Sequence, residues 1–356
     1  MTDAVAIVLF GCITAYAVFG GADFGAGLWD LMAGGPKRGE APRGVVDHAI
    51  GPVWEANHVW LIFTLVVLWT SFSEAFASIT LTLFVPLTLA ALGIVLRGSG
   101  FAFRKAVHRT SSRRNFGAAF ALSSVLVPYF MGSIAGAVAS GRVPAGGVAG
   151  DPWSSWVNPT SILGGVMAVV SCAFLSATFL VWDARRLGDD GMVEYFRVRA
   201  LVAAGVAGAI ALAGIAVLHA DATYVFHGLT SRALPLVIVS ALCGLGSLFL
   251  LARRSARGAR LLAVGAVASV TIGWGVAQWP YLLPTSLTVD DGASPSGTLA
   301  TVLVAFGLAA LLVLPSLGLL YVLDQKGLLP EESTGAPVPR YRAPHPSPDL
   351  TIKETT

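Results

Sequence analysis

Charge is what this chain has least of. Only 12% of its 356 residues are charged, about half the share of a soluble globular domain. That shortage excludes a large water-facing surface and the soluble enzyme that would carry one. Cysteine is scarce too: Cys12, Cys172 and Cys243 lie singly in apolar runs, with no CxxC pair. No disulfide framework or thiolate metal site follows from that spacing, so the three read as small packing residues. The N-terminus begins with Asp3 rather than a basic segment and lacks a small-residue cleavage motif, so it is expected to stay as a first span.

Apolar sequence is present in excess: 55% of residues are hydrophobic and mean hydropathy is +0.74. Runs long enough to cross a ~30 Å hydrocarbon core recur along the chain. They predict nine helices, at roughly 3–24, 51–72, 76–97, 116–138, 160–182, 199–218, 233–252, 260–282 and 299–323. The runs are too long and too uniformly apolar for barrel strands. An all-α polytopic membrane protein is therefore expected over residues 1–325, followed by a disordered cytoplasmic tail over 326–356, rich in proline and polar residues.

The basic residues test this count. With nine spans, all but Arg142 and Arg232 fall on one side. That side is then cytoplasmic, which puts the N-terminus outside and the C-terminus inside. Such a distribution serves topology, and nothing in it calls for nucleic acid. The opposite loops, "DPWSSWVNP" and "AQWPYLLP", carry the aromatic residues of a membrane-interface belt.

Ionisable groups inside the apolar runs are costly and mark function. Asp23 lies in "FGGADFGAGLWD" and Glu55 in "GPVWEANHVWLIF", each near the cytoplasmic end of its span. Asp30, Asp183 and Asp324 sit at helix ends and are expected to be hydrated. Glu55 and His58 share a helix face at i and i+3. A proton relay and a self-contained polar cluster both suit that spacing, whereas a lone histidine makes a weak metal or haem ligand. Gly21 and Gly25 form a GxxxG step, suited to close helix packing beside Asp23.

"GGADFGAGLWDLM", "HAIGPVWEANHVWLIF", "LRGSGFAFRK" and "GWGVAQWPYLLPTSLT" resemble, in order and spacing, subunit II of the cytochrome bd-type quinol oxidases. The resemblance implies two four-helix bundles plus one additional helix. It also implies a haem-bearing partner, subunit I, which holds haem b, haem d and the quinol site, so this chain is expected to bind no cofactor directly. A small accessory membrane subunit, lipid and quinone complete the expected partners. On this resemblance Glu55, His58 and Asp23 belong to a proton route from the cytoplasm. Gly21, Gly25, Trp54, Asn57, Trp60, Arg97, Arg104, Gln278 and Pro280 are motif positions of structural weight. Two departures stand out, because Gly20 and Ala102 occupy positions where many relatives carry an acid. Two other readings suit the intramembrane acids: a proton-coupled secondary transporter and a purely structural assembly subunit. The bias of the acids toward one leaflet argues against the transporter.

Overall fold

The computed structural model describes residues 1–35, 37–50, 54–106, 110–255 and 258–326, without the side chains of 50, 54–56, 104–106, 110–114, 321, 324 and 325. The tail expected from residue 326 onward falls, apart from Lys326, outside the described residues.

The first span is one helical rod with a local widening. Helix α1 (Thr2–Ala15) passes into a π-helical turn at Tyr16–Gly20 and continues as α2 (Gly21–Met32). Such turns insert one residue into the helical ladder and recur at functional sites. The rod runs on to Met32 rather than stopping near residue 24. Asp23 therefore lies nine residues, ~14 Å, inside its end.

The amphipathic α3 (Glu40–Ile50) leads to α4 (Trp54–Ser71). At Phe72 the chain bends by 116° into the short α5 (Ser73–Thr82). It breaks again at Leu83 and enters α6 (Phe84–Ala106). Pro86 has no amide to donate to the Thr82 carbonyl, which helps stop α5 there. The third span accordingly covers Phe84–Phe103 and not 76–97. This correction moves Arg97 from a cytoplasmic connection into the body of a helix.

The remaining helices are α7 (Thr110–Ala139), α8 (Pro159–Arg186), α9 (Asp190–Asp221), α10 (Thr223–Thr230), α11 (Leu234–Ala252), α12 (Ala259–Gln278) and α13 (Ser296–Gln325). Strands β1 (Tyr281–Leu283) and β2 (Leu287–Thr288) form a small antiparallel hairpin after α12. Among the described residues eight helices are long and apolar enough to cross a membrane, and nine spans result if the bent α4–α5 pair counts as one.

Packing sorts these into two four-helix bundles. The α1–α2 rod contacts α4 and α7, and α6 lies along α7; the second set is α8, α9, α11 and α12. The sets meet where α8 packs on α2 and α7 and where α12 packs on α1, while α13 lies outside against α1 and α4. One hydrophobic core, including Trp29, Phe120, Phe174, Leu180, Phe196 and Leu251, runs through both.

The bundles repeat one another at one end. Ala222, between α9 and α10, has the same backbone angles as Phe72 between α4 and α5 (φ −136°, ψ 57°). Ring contacts recur at the same places, with Trp69 stacked on Phe76 and His219 edge-on to Phe226. The Thr80 hydroxyl donates to the Phe76 carbonyl and Thr230 to that of Phe226. Every pair is displaced by 150 positions, as are the starts of α6 and α11 (Phe84 and Leu234). The match is one of geometry, since little beyond the phenylalanine and threonine is shared in sequence.

The two basic residues that break the charge asymmetry both lie at this end and both are held. Arg142 donates through both terminal nitrogens to Asp221, at 3.1 and 2.5 Å. Arg232 donates to the Tyr224 hydroxyl and the Ala277 carbonyl. Nearby, Asn158 caps α8 by accepting from the Ser161 amide, with Pro159 at the first helical position.

Glycine sets the closest helix approaches. A Cβ on Gly25 would lie 1.9 Å from the Cys172 carbonyl oxygen of α8, and one on Gly132 would lie 2.3 Å from that of Gly164. Gly21, the other half of the GxxxG step, has only ordinary contacts, the nearest at 3.4 Å to Leu175. Gly27, outside that step, meets Ser124 of α7 instead. Gly25→Ala is therefore expected to force α2 off α8 and greatly reduce the yield of detergent-stable protein. Gly11→Ala, with nothing within 4 Å of the added methyl, serves as the neutral control. Size-exclusion profiles of the two variants compare them directly, and equal yields would contradict the packing.

Candidate functional site

Arg97 is 1% exposed and is the largest fully buried side chain among the described residues. A guanidinium at such a depth is held only where its charge and its N–H groups find partners. Nη2 donates to Asp23 Oδ1 at 2.8 Å and to the Asp23 carbonyl at 3.2 Å. Nε donates to Ser124 Oγ at 3.0 Å, and that hydroxyl donates in turn to the Phe120 carbonyl at 2.7 Å. The Phe24 and Phe120 ring centroids lie 4.8 and 5.0 Å from the guanidinium carbon, adding cation–π attraction from two directions. Three helices, α2, α6 and α7, thus converge on one charge pair.

Beside this pair lies a small aromatic nest. The Tyr16 ring packs on Phe24 and on His58, each at 6.2 Å between centroids, and Phe24 meets His58 at the same distance. The π-helical turn supplies Tyr16, and the missing side chain of Gly20 makes room for it. A Cβ on Gly20 would lie 3.0 Å from the tyrosine ring. Three buried polar atoms around the pair, Tyr16 Oη, Asp23 Oδ2 and His58 Nδ1, have no hydrogen-bond partner among the described residues. Buried groups of this kind normally find one, and their clustering calls for an explanation.

Asp23, His58 and Arg97 are brought together. Glu55 lies in the first turn of α4, one turn before His58, but its side chain falls outside the described residues, as do those of Trp54 and Arg104. Asn57 is buried, at 9% exposure. Trp60 stacks on Phe19 and tilts against Phe63. Gln278 and Pro280 lie apart from the site, at the hairpin: Gln278 Nε2 donates to the Tyr281 and Leu282 carbonyls, and Pro280 follows a cis peptide bond. Asp30 corrects the reading of a hydrated helix end, since it is buried and paired with Arg43 at 2.7 Å.

Two participants escaped the sequence reading. Tyr16 is not among the residues that sequence analysis singles out, although a phenol inside a span four residues ahead of Gly20 is a usable signal. Ser124, in "ALSSVLV", carries none, because serine is common in packed membrane helices.

Among the described residues no group of three or more His, Cys, Asp or Glu side chains could hold a metal ion. His58 offers one imidazole packed against two rings, which does not make an axial haem ligand set.

The family model "Cytochrome bd terminal oxidase subunit II" matches residues 1–324. The cytochrome bd ubiquinol oxidase subunit 2 of Bacillus subtilis is 26% identical over 304 residues, covering 83% of this chain and 86% of that one. The cytochrome bd-I ubiquinol oxidase subunit 2 of Escherichia coli K12 is 26% identical over 236 residues, 62% of this chain and 57% of that one. Among solved structures, the bd oxidase of Geobacillus thermodenitrificans superposes with a TM-score of 0.71 at 25% identity, covering 90% of this chain and 98% of the other. With the family model spanning nearly all of the described residues, this multi-pass membrane protein belongs to the cytochrome bd terminal oxidase subunit II family and is a subunit of a cytochrome bd quinol oxidase.

Proposed function

We propose that this subunit carries protons toward the oxygen-reducing centre of its partner, by way of Glu55, His58, Tyr16 and Asp23. The supporting observation is a group of three buried polar atoms, Asp23 Oδ2, Tyr16 Oη and His58 Nδ1, without a hydrogen-bond partner among the described residues, at the buried Arg97–Asp23 pair. The Arg97 guanidinium holds Asp23 Oδ1 at 2.8 Å and so fixes the direction of the carboxylate. The second carboxylate oxygen, the phenol and the imidazole then form a row of groups able to pass a proton through bridging water. The chain supplies no redox group in this reading: haem b, haem d and the quinol site lie in subunit I, and this subunit holds a proton path and a docking scaffold. The charge distribution supports an outside N-terminus, with Glu55 at the cytoplasmic mouth.

Tyr16 stands in for the acid missing at Gly20, because its ring occupies the space beside that glycine. Loss of an acid at Ala102 has a different meaning. Ala102 is exposed on α6, so a carboxylate there would add an entrance charge without entering the nest.

Tyr16→Phe in the whole complex tests the route, because it keeps the ring and removes only the hydroxyl. Assembly and haem content are expected to stay normal while O₂ consumption falls roughly two- to fivefold, ~0.4–1 kcal/mol on the barrier. Unchanged turnover at every pH would assign Tyr16 to packing and break the path at that point.

A further inference from the structure

Away from the charge pair, a cavity of about 360 Å³ opens between the ends of α8, α9 and α11. Its inner wall is apolar, formed by Val181, Val193 and Leu251, and its rim carries Arg185, Arg197 and Arg254. An apolar floor below a cationic rim, at the end of the bundle that gathers the basic residues, matches the two halves of a phospholipid.

The three arginines are not equivalent. Arg197 is committed to the protein: it makes a bidentate pair with Glu194 (2.8 and 2.5 Å) and donates to the Leu251 carbonyl. Glu194 is thereby neutralised, although it lines the same cavity. Arg185 lines the cavity and donates through Nη2 to the Arg254 carbonyl at 3.2 Å, which anchors it through one terminal nitrogen. Arg254 has only a 3.8 Å approach to Glu194, and its side chain is 74% exposed. Asp190 is the remaining carboxylate of the lining, so the two available guanidiniums outweigh it.

The backbone at Arg254 gives independent support. Helix α11 ends in a Schellman turn, with the Ser255 amide donating to the Leu250 carbonyl and that of Arg254 to Leu251. Arg254 takes the left-handed position of this turn (φ +57°), where glycine is the usual residue. Helix α8 ends at the same cavity in the same turn, and there the position is Gly188 (φ +69°). One of two matched caps thus spends conformational strain to keep a guanidinium at the rim. Strain of this kind is a sign of function when no internal contact needs the side chain.

We propose that this cavity is a site for one anionic phospholipid, with Arg185 and Arg254 holding its phosphodiester and the apolar wall taking the start of its acyl chains. A free phosphate shares the headgroup chemistry but would leave the apolar wall unused.

The test uses the purified oxidase complex, delipidated in detergent and followed by thermal unfolding and native mass spectrometry. Phosphatidylglycerol, phosphatidylethanolamine and inorganic phosphate are added back in separate arms. Wild type is expected to retain one phosphatidylglycerol more than Arg254→Gly, and to be stabilised by that lipid alone. Arg254→Gly relieves the left-handed backbone and so folds at least as well as wild type, which separates loss of the site from loss of structure. Arg254→Lys should keep part of the response. An equal phosphatidylglycerol response in wild type and Arg254→Gly would overturn the site. A shift reproduced by inorganic phosphate would make it an ion site, and one reproduced by phosphatidylethanolamine would remove the charge selectivity; either also overturns the proposal.

Discussion

Arg97→Met is expected to yield little assembled oxidase. The substitution keeps most of the side-chain volume but strands Asp23, 5% exposed, with no countercharge. Removing one partner of a buried ion pair costs about 3–5 kcal/mol, a large part of a domain's whole stability. Asp23→Leu strands the guanidinium and should be as damaging. The informative variant is the double one, Asp23→Leu with Arg97→Met, in which no buried charge remains. Replacing both members of such a pair with apolar groups is often tolerated, so assembly and haem content should recover in large part. Turnover should not recover, because the proposed path has lost the carboxylate it needs. If activity returns in step with assembly, the pair is a structural clamp and the path runs elsewhere.

Glu55→Gln is expected to show the opposite division, with normal assembly and a fall in quinol oxidation of roughly tenfold or more. The amide keeps the shape and hydrogen-bonding capacity of the side chain but cannot release a proton. Glu55 lies in the first turn of α4, one turn from His58, and in the proposed route it passes a proton on toward Asp23. Glu55→Asp keeps the titrating group and should retain more activity than Gln. A packing role predicts a different series, in which Gln behaves as wild type and only Glu55→Ala loses complex. O₂ consumption per haem, measured with the haem content of each preparation, separates the two. Full activity in a fully assembled Gln variant would end the relay reading.

The sequence exposed the run of long apolar helices and the buried Asp23 because both depend on composition within a window of about 20 residues. Asp23 was conspicuous simply by being charged in an apolar run. The fate of Arg97 was hidden for a geometric reason. Hydropathy ran straight through the breaks at Phe72 and Leu83, so the third span was placed too early and its arginine was left at a helix end. Asp30 was misread in the same way, since a carboxylate near the end of a span looks hydrated until Arg43 is seen to fold back over it. Tyr16 needed the π-helical turn, and no residue pattern announces one. The repeat between the two bundles was invisible because it is kept in backbone angles and ring contacts, not in residue identity.

That repeat bears on how freely each half of the chain can change. The position displaced by 150 from Arg97 is Ser247, fully buried, whose hydroxyl donates to the Ala259 carbonyl across to α12. The same place in two copies of one architecture is thus occupied once by a charge anchored to a carboxylate and once by a small neutral linker. On the proposed route, substitutions of similar size should therefore lower turnover when placed around Arg97 in α2, α6 and α7, and leave it unchanged when placed around Ser247 in α11 and α12. For an engineer, the second bundle, away from the α8–α9–α11 cavity and from the face of α8 on α2, is the place to add a probe or a stabilising contact.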